Sequence, residues 1–284
     1  MLMLSLATIA PMRLRPAAVA GTWYPDDPVR LTQEVDRYLA RADVGTIAGP
    51  VLAIVAPHAG LMYSGPVAAF AYKAAAGSGC TAIVLVGPSH FVPFRGVSVW
   101  PGGSWQTPLG AIAIEEGLVK AIQTSSNDVV NVPAAHDREH SLELQMPFVA
   151  RLLPGVPIVP LVMGHQTRRT AFALGEVLAR AIAGRQGRTL LVASSDLSHY
   201  EDGATAHTLD AVVMRHVESL DPEGLMRALE AEPRHACGGG PMVAVLDAAR
   251  RLGASVSRVL EYADSGDVSG DKSSVVGYMA AAMW

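Results

Sequence analysis

The sequence predicts an α/β fold in one domain, a mostly parallel central sheet flanked by helices. Short apolar runs rich in Val, Ile and Leu are cut off by Pro, Gly or Ser, the pattern of strands buried on both faces. Ala-rich or amphipathic stretches of helical length separate these runs. Hydrophobic residues make up 50% of the 284-residue chain and charged residues only 17%, which suits a sheet covered on both sides.

Residues 51–57 (VLAIVAP) read as a buried strand, residues 65–76 (GPVAAFAYKAAA) as a helix and residues 82–88 as the next strand, a βαβ unit. Residues 91–115 are rich in Gly, Pro and Trp. Their alternation in GVSVW and GAIAIE predicts an antiparallel hairpin or excursion at the end of the sheet. A short helix over residues 116–123 and a short strand in VVNVP follow. Residues 140–153 (HSLELQMPFVARLL) are expected as one amphipathic helix, kinked or started late by Pro147.

Residues 157–163 (PIVPLVM) form another buried strand, residues 168–183 a helix, and residues 190–194 the strand that delivers Asp196 and His199. Helices are expected near residues 205–219, 222–230 and 240–252, the second with Pro222 near its start as helix beginnings prefer. Residues 255–262 and 274–281 close the chain as β segments. There is no internal repeat, low-complexity tract or linker, so one domain accounts for the chain.

The net charge of −4 and the absence of any Lys/Arg run argue against nucleic acid as a partner. The apolar stretches are strand-sized, too short to span a membrane. Two cysteines, Cys80 and Cys237, are too few for a disulfide framework and suit a reducing, cytoplasmic setting. Residues 1–11 (MLMLSLATIAP) have no basic residue ahead of the apolar stretch, and Arg13 and Arg15 come after it, the wrong order for an export signal. They are expected to form a disordered or loosely attached extension, with Met12 an alternative start.

Three histidines lie just past apolar runs: His58 after VLAIVAP, His90 after AIVLVGPS and His199 after LLVASSDLS. The working crevice of an open α/β sheet lies outside the carboxyl ends of its strands. Imidazoles converging there suit a metal ion with an acid/base partner. His58 and His90, one βα unit apart, would be neighbours if their strands pair. Cys237, in H-A-C-G-G-G-P, is the candidate third ligand, its glycines leaving the sulfur accessible and near free backbone N–H groups that favour a thiolate. Cys80 reads as a small buried hydrophobe.

Asp196 and His199, in D-L-S-H, fit an orienting carboxylate and a general base. Ser194, Ser195 and Ser198 invite a hydrolase reading, but no G-x-S-x-G elbow exists and they are expected as loop formers. His136, His140 and Glu143 lie in H-D-R-E-H-S-L-E, which is not the H-E-x-x-H of zinc proteases. His140 and Glu143 would share a helical face, with roles near the crevice or contacting substrate. His136 and Glu139 suit capping and salt bridging as well. The remaining histidines read as structural.

In order, RPAAVAGTWYP (residues 15–25), APHAGLMYSG (56–65), GPSH (87–90), HSLELQMP (140–147), SSDLSHY (194–200), CGGGP (237–241) and YADSGDVSGD (262–271) resemble the Memo family, component B of the AmmeMemoRadiSam set. The resemblance covers residues 12–284. It implies a fold similar to class III extradiol dioxygenases and LigB-like proteins, with His58 and His90 as metal ligands and His199 in the region of the catalytic base. Cys237 stands where those dioxygenases use a glutamate ligand. A thiolate is softer than a carboxylate, so the resemblance implies a metal site and redox role more than ring cleavage.

The expected cofactor is therefore a divalent or redox metal ion, iron or copper ahead of zinc. The expected function is a non-haem metal-dependent oxidoreductase, with His199, Asp196 and His140 as catalytic residues and a small molecule or peptide in the crevice. AMMECR1-like and radical SAM proteins of the same system are the implied partners. A non-catalytic module binding a peptide, including a phosphotyrosine peptide, is the other reading, although no Arg cluster is evident to hold a phosphate.

Overall fold

The computed structural model describes residues 13–284, so the expected extension over residues 1–11 and the start at Met12 lie outside the described residues. Strand β1 (Leu14–Arg15) leads to helix α1 (Pro28–Arg41), which Asp27 caps by accepting the Arg30 N–H. The predicted βαβ unit follows as β2 (Ala53–Ala56), α2 (Leu61–Ala75) and β3 (Cys80–Pro88). Next come β4 (Val97–Val99), β5 (Ser104–Thr107), β6 (Gly110–Ala113), α3 (Glu116–Thr124), β7 (Val129–Val130) and α4 (Ala134–Asp137).

Helix α5 (Met146–Leu152), β8 (Ile158–Met163), α6 (Arg168–Ala183), β9 (Arg188–Ser194) and β10 (His199–Glu201) lead into the C-terminal part. That part holds α7 (Gly203–Glu218), α8 (Pro222–Ala231), α9 (Gly239–Arg251), β11 (Ser257–Asp264), α10 (Gly266–Ser269) and β12 (Val275–Met283).

The nine-stranded sheet runs β10-β12-β2-β9-β3-β8-β4-β7, with β11 also paired to β12. Its centre, β2-β9-β3-β8, is parallel, as buried aliphatic strands joined through helices require. The flanks are not. β12 runs antiparallel to β2, β10 and β11, and β4 antiparallel to β8, so the sheet is mixed around a parallel core. Between β11 and β12 there is only the single turn of α10, too short for the crossover a parallel pair needs. Helix α2 packs on β2 and β12, α9 on β3 and β9, and α6 on α9. No described helix is long and apolar enough to cross a membrane.

One local expectation needs correction, and another resolves between its two forms. The hairpin exists as β5–β6, but it joins β1 in a separate three-stranded sheet, and only β4 and β7 extend the main one. Of the two forms expected for residues 140–153, the helix starts late at the proline. Pro147 lacks the N–H that a helix interior uses, so α5 begins at Met146 with the proline in its first turn. Residues 143–145 tighten into a 3-10 turn, and His140 is left in a loop.

Candidate metal centre

His58 follows the Pro57 that stops β2, and His90 lies two residues beyond β3. Their strands do not pair, because β9 runs between them. Strands two positions apart are separated by roughly 10 Å, yet the loops carry both rings over the end of β9 to a centroid separation of 5.3 Å. His140 joins them from its loop, its ring 4.4 Å from that of His90 and 5.6 Å from that of His58. The three residues can each offer one ring nitrogen such that all lie within 4.8 Å of one another. Among the described residues this is the group of His, Cys, Asp or Glu side chains that could hold a metal ion.

Hydrogen bonding selects the tautomers. The Ser194 hydroxyl donates to the Ser141 carbonyl at 2.6 Å, so toward His58 it acts as acceptor, and Nδ1–H of His58 donates to it at 2.9 Å. Gln145 completes the lock, donating from Nε2 to Ser194 Oγ at 2.8 Å and to the Pro57 carbonyl at 3.0 Å. Nδ1–H of His90 donates to Glu139 Oε1 at 2.8 Å, while its backbone N–H donates to Oε2 at 2.6 Å. In both rings Nε2 keeps its lone pair for the crevice, the arrangement of metal-binding histidines held by an oxygen behind them. His140 Nδ1 is buried without a hydrogen-bond partner, an orphan that a ligand could satisfy.

Electrostatics agree with this assignment. Burial, helped by the neighbouring His90, pushes His58 well below the ordinary histidine value, and burial beside His58 and His90 takes His140 down to about 4. Both are neutral near pH 7, the form that coordinates metal. Burial alone would raise Glu139, but the hydrogen bonds from His90 outweigh it and bring the carboxyl down to about 2. A fixed anion thus stands behind the trio. His58 and His140 held neutral, the fixed tautomers of His58 and His90, and the orphan nitrogen of His140 fit a divalent metal ion.

The other predicted site residues converge here as well. Cys237 Sγ lies 3.2 Å from His58 Nε2 and accepts the Asp196 N–H at 3.3 Å. Burial and the nearby Asp196 push its thiol up, so the expected thiolate does not arise from the glycine-rich turn by itself. Asp196 is 4% exposed and accepts the His58 N–H at 2.6 Å; burial raises its carboxyl while that bond and the imidazoles oppose the rise. His199 donates from Nδ1 to the Leu197 carbonyl at 2.8 Å, leaving Nε2 free. The trio, Cys237, Asp196 and His199 line one crevice of about 590 Å3, walled by Trp23, Tyr63 and Tyr200. Trp23 packs against His140, their ring centroids 4.3 Å apart and their planes tilted by 43°.

Some readings of the sequence fail. Glu143 does not face the crevice with His140; it is fully buried against Arg15 and Tyr24. His136 lies apart, bonded through Nε2 to Ser98 Oγ at 3.1 Å. Ser194 is buried and locked, which leaves no serine nucleophile there, and Cys80 sits buried at the opposite end of β3. The sequence reading missed Ser194, Gln145 and Trp23 as parts of the site, and Glu139 as more than a salt-bridge partner. The sole local signal was the density of polar side chains in H-D-R-E-H-S-L-E, more than a buried amphipathic helix would carry.

The Memo-like protein family model matches residues 15–282. MEMO1 family proteins of Thermotoga maritima and Metallosphaera sedula are 36% and 37% identical, each over 95% of this chain and over 99% and 98% of their own lengths. One from Sulfolobus acidocaldarius is 38% identical over 94% of this chain and 98% of its own. Among solved structures, the uncharacterized protein JW3007 from Escherichia coli K12 is similar in fold, with a TM-score of 0.52 and 14% identity over 81% of this chain and 99% of its own.

Proposed function

This chain belongs to the Memo-like family, and from that premise we propose that it is a metal-dependent oxidoreductase acting on a small molecule held in the crevice. The observation that carries the proposal is the His58–His90–His140 trio, whose ligand atoms lie within 4.8 Å of one another beside an open cavity. Iron or copper is the favoured ion, with zinc third, and Cys237 is a further soft donor at the same point. A bound ion of this kind would supply Lewis-acid and one-electron chemistry.

The chain's own residues do the rest. Asp196 orients the His58 loop through its backbone N–H, and His199, its Nδ1–H already engaged, receives a substrate proton at Nε2. Trp23, Tyr63 and Tyr200 shield the cavity and present flat apolar faces to a bound molecule. A dioxygenase-like ancestry, a cytoplasmic setting suited to the unpaired Cys80 and Cys237, and association with AMMECR1-like and radical SAM proteins belong to the same proposal.

Metal analysis of protein purified without added metal tests it. Stoichiometric iron or copper, lost on mutation of His58 or His90, is the expected result. Zinc alone would favour hydrolytic chemistry. Protein that is folded yet takes up no metal would favour a peptide-binding module using the same crevice.

A further inference from the structure

Arg15, Tyr24 and Glu143 lie outside the crevice lining, yet they form the most completely buried ionic cluster of the described residues. Glu143 is 0% exposed and Arg15 1%. Removing two charges from water is costly, and apolar residues of similar volume hold a core at least as well, so the pair calls for a reason beyond stability. The Glu143 carboxylate accepts the Arg15 guanidinium, the N–H groups of Ala18 (2.8 Å) and Val19 (2.9 Å) and the Tyr24 hydroxyl (2.8 Å). Arg15 donates onward to the carbonyl oxygens of His136 at 2.9 Å and Glu139 at 2.7 Å, and its guanidinium lies over the Trp105 ring at 4.3 Å.

Two pieces of the site's scaffold meet at this cluster. One is the segment from Arg15 to Tyr24, which carries the Trp23 wall packed in tilted contact on His140. The other is the turn from His136 to Glu143, which carries both Glu139, the acceptor behind His90, and His140 itself. We propose that the Arg15–Glu143 pair is the positioning device of the metal centre. It holds the backbone at Glu139, which sets the His90–Glu139 hydrogen bond and the His140 ring, and through Tyr24 and residues 18–19 it holds Trp23 against that ring. These are positioning residues: none of them touches the reacting atoms. The inference rests on the metal-centre reading given above.

The test titrates metal-free protein with cobalt(II) chloride, reading affinity by calorimetry and coordination by the visible d–d absorption. Glu143→Gln keeps the shape of the carboxylate and removes its charge. Arg15→Lys keeps the charge and removes the planar fork that reaches two carbonyls and a carboxylate. Each is expected to weaken cobalt binding by roughly 10–100-fold, as loss of a supporting partner typically does, and to change the d–d band as His140 leaves its place. Ile122→Ala, a cavity variant in α3 outside the crevice lining, controls for stability. It should lower the melting temperature and leave cobalt affinity and band unchanged.

Should the charged variants fail to fold, Tyr24→Phe decides by the same readouts, since it deletes one hydroxyl from the cluster; a weakening of a few-fold with a shifted band is expected. Variants that bind cobalt within twofold of wild type, with the same band, overturn this inference alone. Wild-type protein that takes up no cobalt overturns the metal-centre reading and this inference with it.

Discussion

His58 and His90 are built alike: each donates Nδ1–H to an oxygen from another part of the chain, Ser194 Oγ at 2.9 Å and Glu139 Oε1 at 2.8 Å, and keeps Nε2 for the crevice. If the trio is the ligand set, His140→Ala abolishes stoichiometric metal binding, and Cys237→Ser weakens it only to the extent that sulfur joins the set; calorimetric titration of the two variants ranks them. Cys80→Ser leaves metal binding untouched. His136 makes a separate prediction. Burial, with the Arg15 charge adding to it, takes this imidazole down to about 4, below its unfolded value of about 6.5. Between those values the unfolded chain binds the proton and the folded chain does not, so this stability is present above pH 6.5 and is lost as pH falls toward 4. Denaturant unfolding at pH 7 and pH 5 measures the loss, and His136→Gln should reduce the difference while leaving the shares of His58 and His140, which burial lowers in the same direction.

At the scale of elements, the site depends on how closely strand ends and loops approach. The last residues of β3 pass so near the 141–142 loop that a Cβ on Gly87 would lie 2.7 Å from Ser141 Oγ and 2.8 Å from Leu142 Cδ2. Gly87→Ala should therefore cost about 1–3 kcal/mol, the usual range for overpacking, and should also displace the loop that carries His140. Denaturant titration and metal affinity read the two effects separately. The strand β10 offers the opposite case. Tyr200 sits at a register break in the β10–β12 pairing with φ of 63°, and the residue is 78% exposed at the crevice mouth. A left-handed backbone is strained for an aromatic residue, and there is little packing to lose. Tyr200→Gly should relieve about 1–2 kcal/mol of left-handed strain, less about 0.4–1 kcal/mol for the freer unfolded chain, a small net gain, while opening the crevice. A fall in melting temperature would contradict this.

For the whole molecule, a metal that binds only the folded chain must raise its stability by mass action. At about 100 times its dissociation constant the gain is roughly 2.7 kcal/mol. Melting curves of chelator-treated protein should move upward on adding the ion found in the purified protein, and the increment should vanish in His58→Ala. The central sheet is the reason a metal-free chain can already be folded: its parallel strands are buried to 0% through their interiors, so the crevice is set by the core and not by the ion.

The parallel core was legible from sequence because strands buried on both faces must be continuous aliphatic runs, and the chain has several ended by Pro, Gly or Ser. The same rule put His58, His90, Asp196 and His199 at one edge of that sheet. The flanks were not legible, because β11 and β12 show nothing in composition that separates an antiparallel from a parallel neighbour. His140 as a third imidazole of the trio, Glu139 behind His90 and Ser194 behind His58 were decided only by tertiary structure. Hydrogen-bond partners across separations such as 49 and 136 residues carry no local periodicity; they meet because the sheet brings distant strand ends within a few ångströms. Sequence determined which groups stand at the rim of the crevice, and three-dimensional packing decided which way each ring nitrogen points.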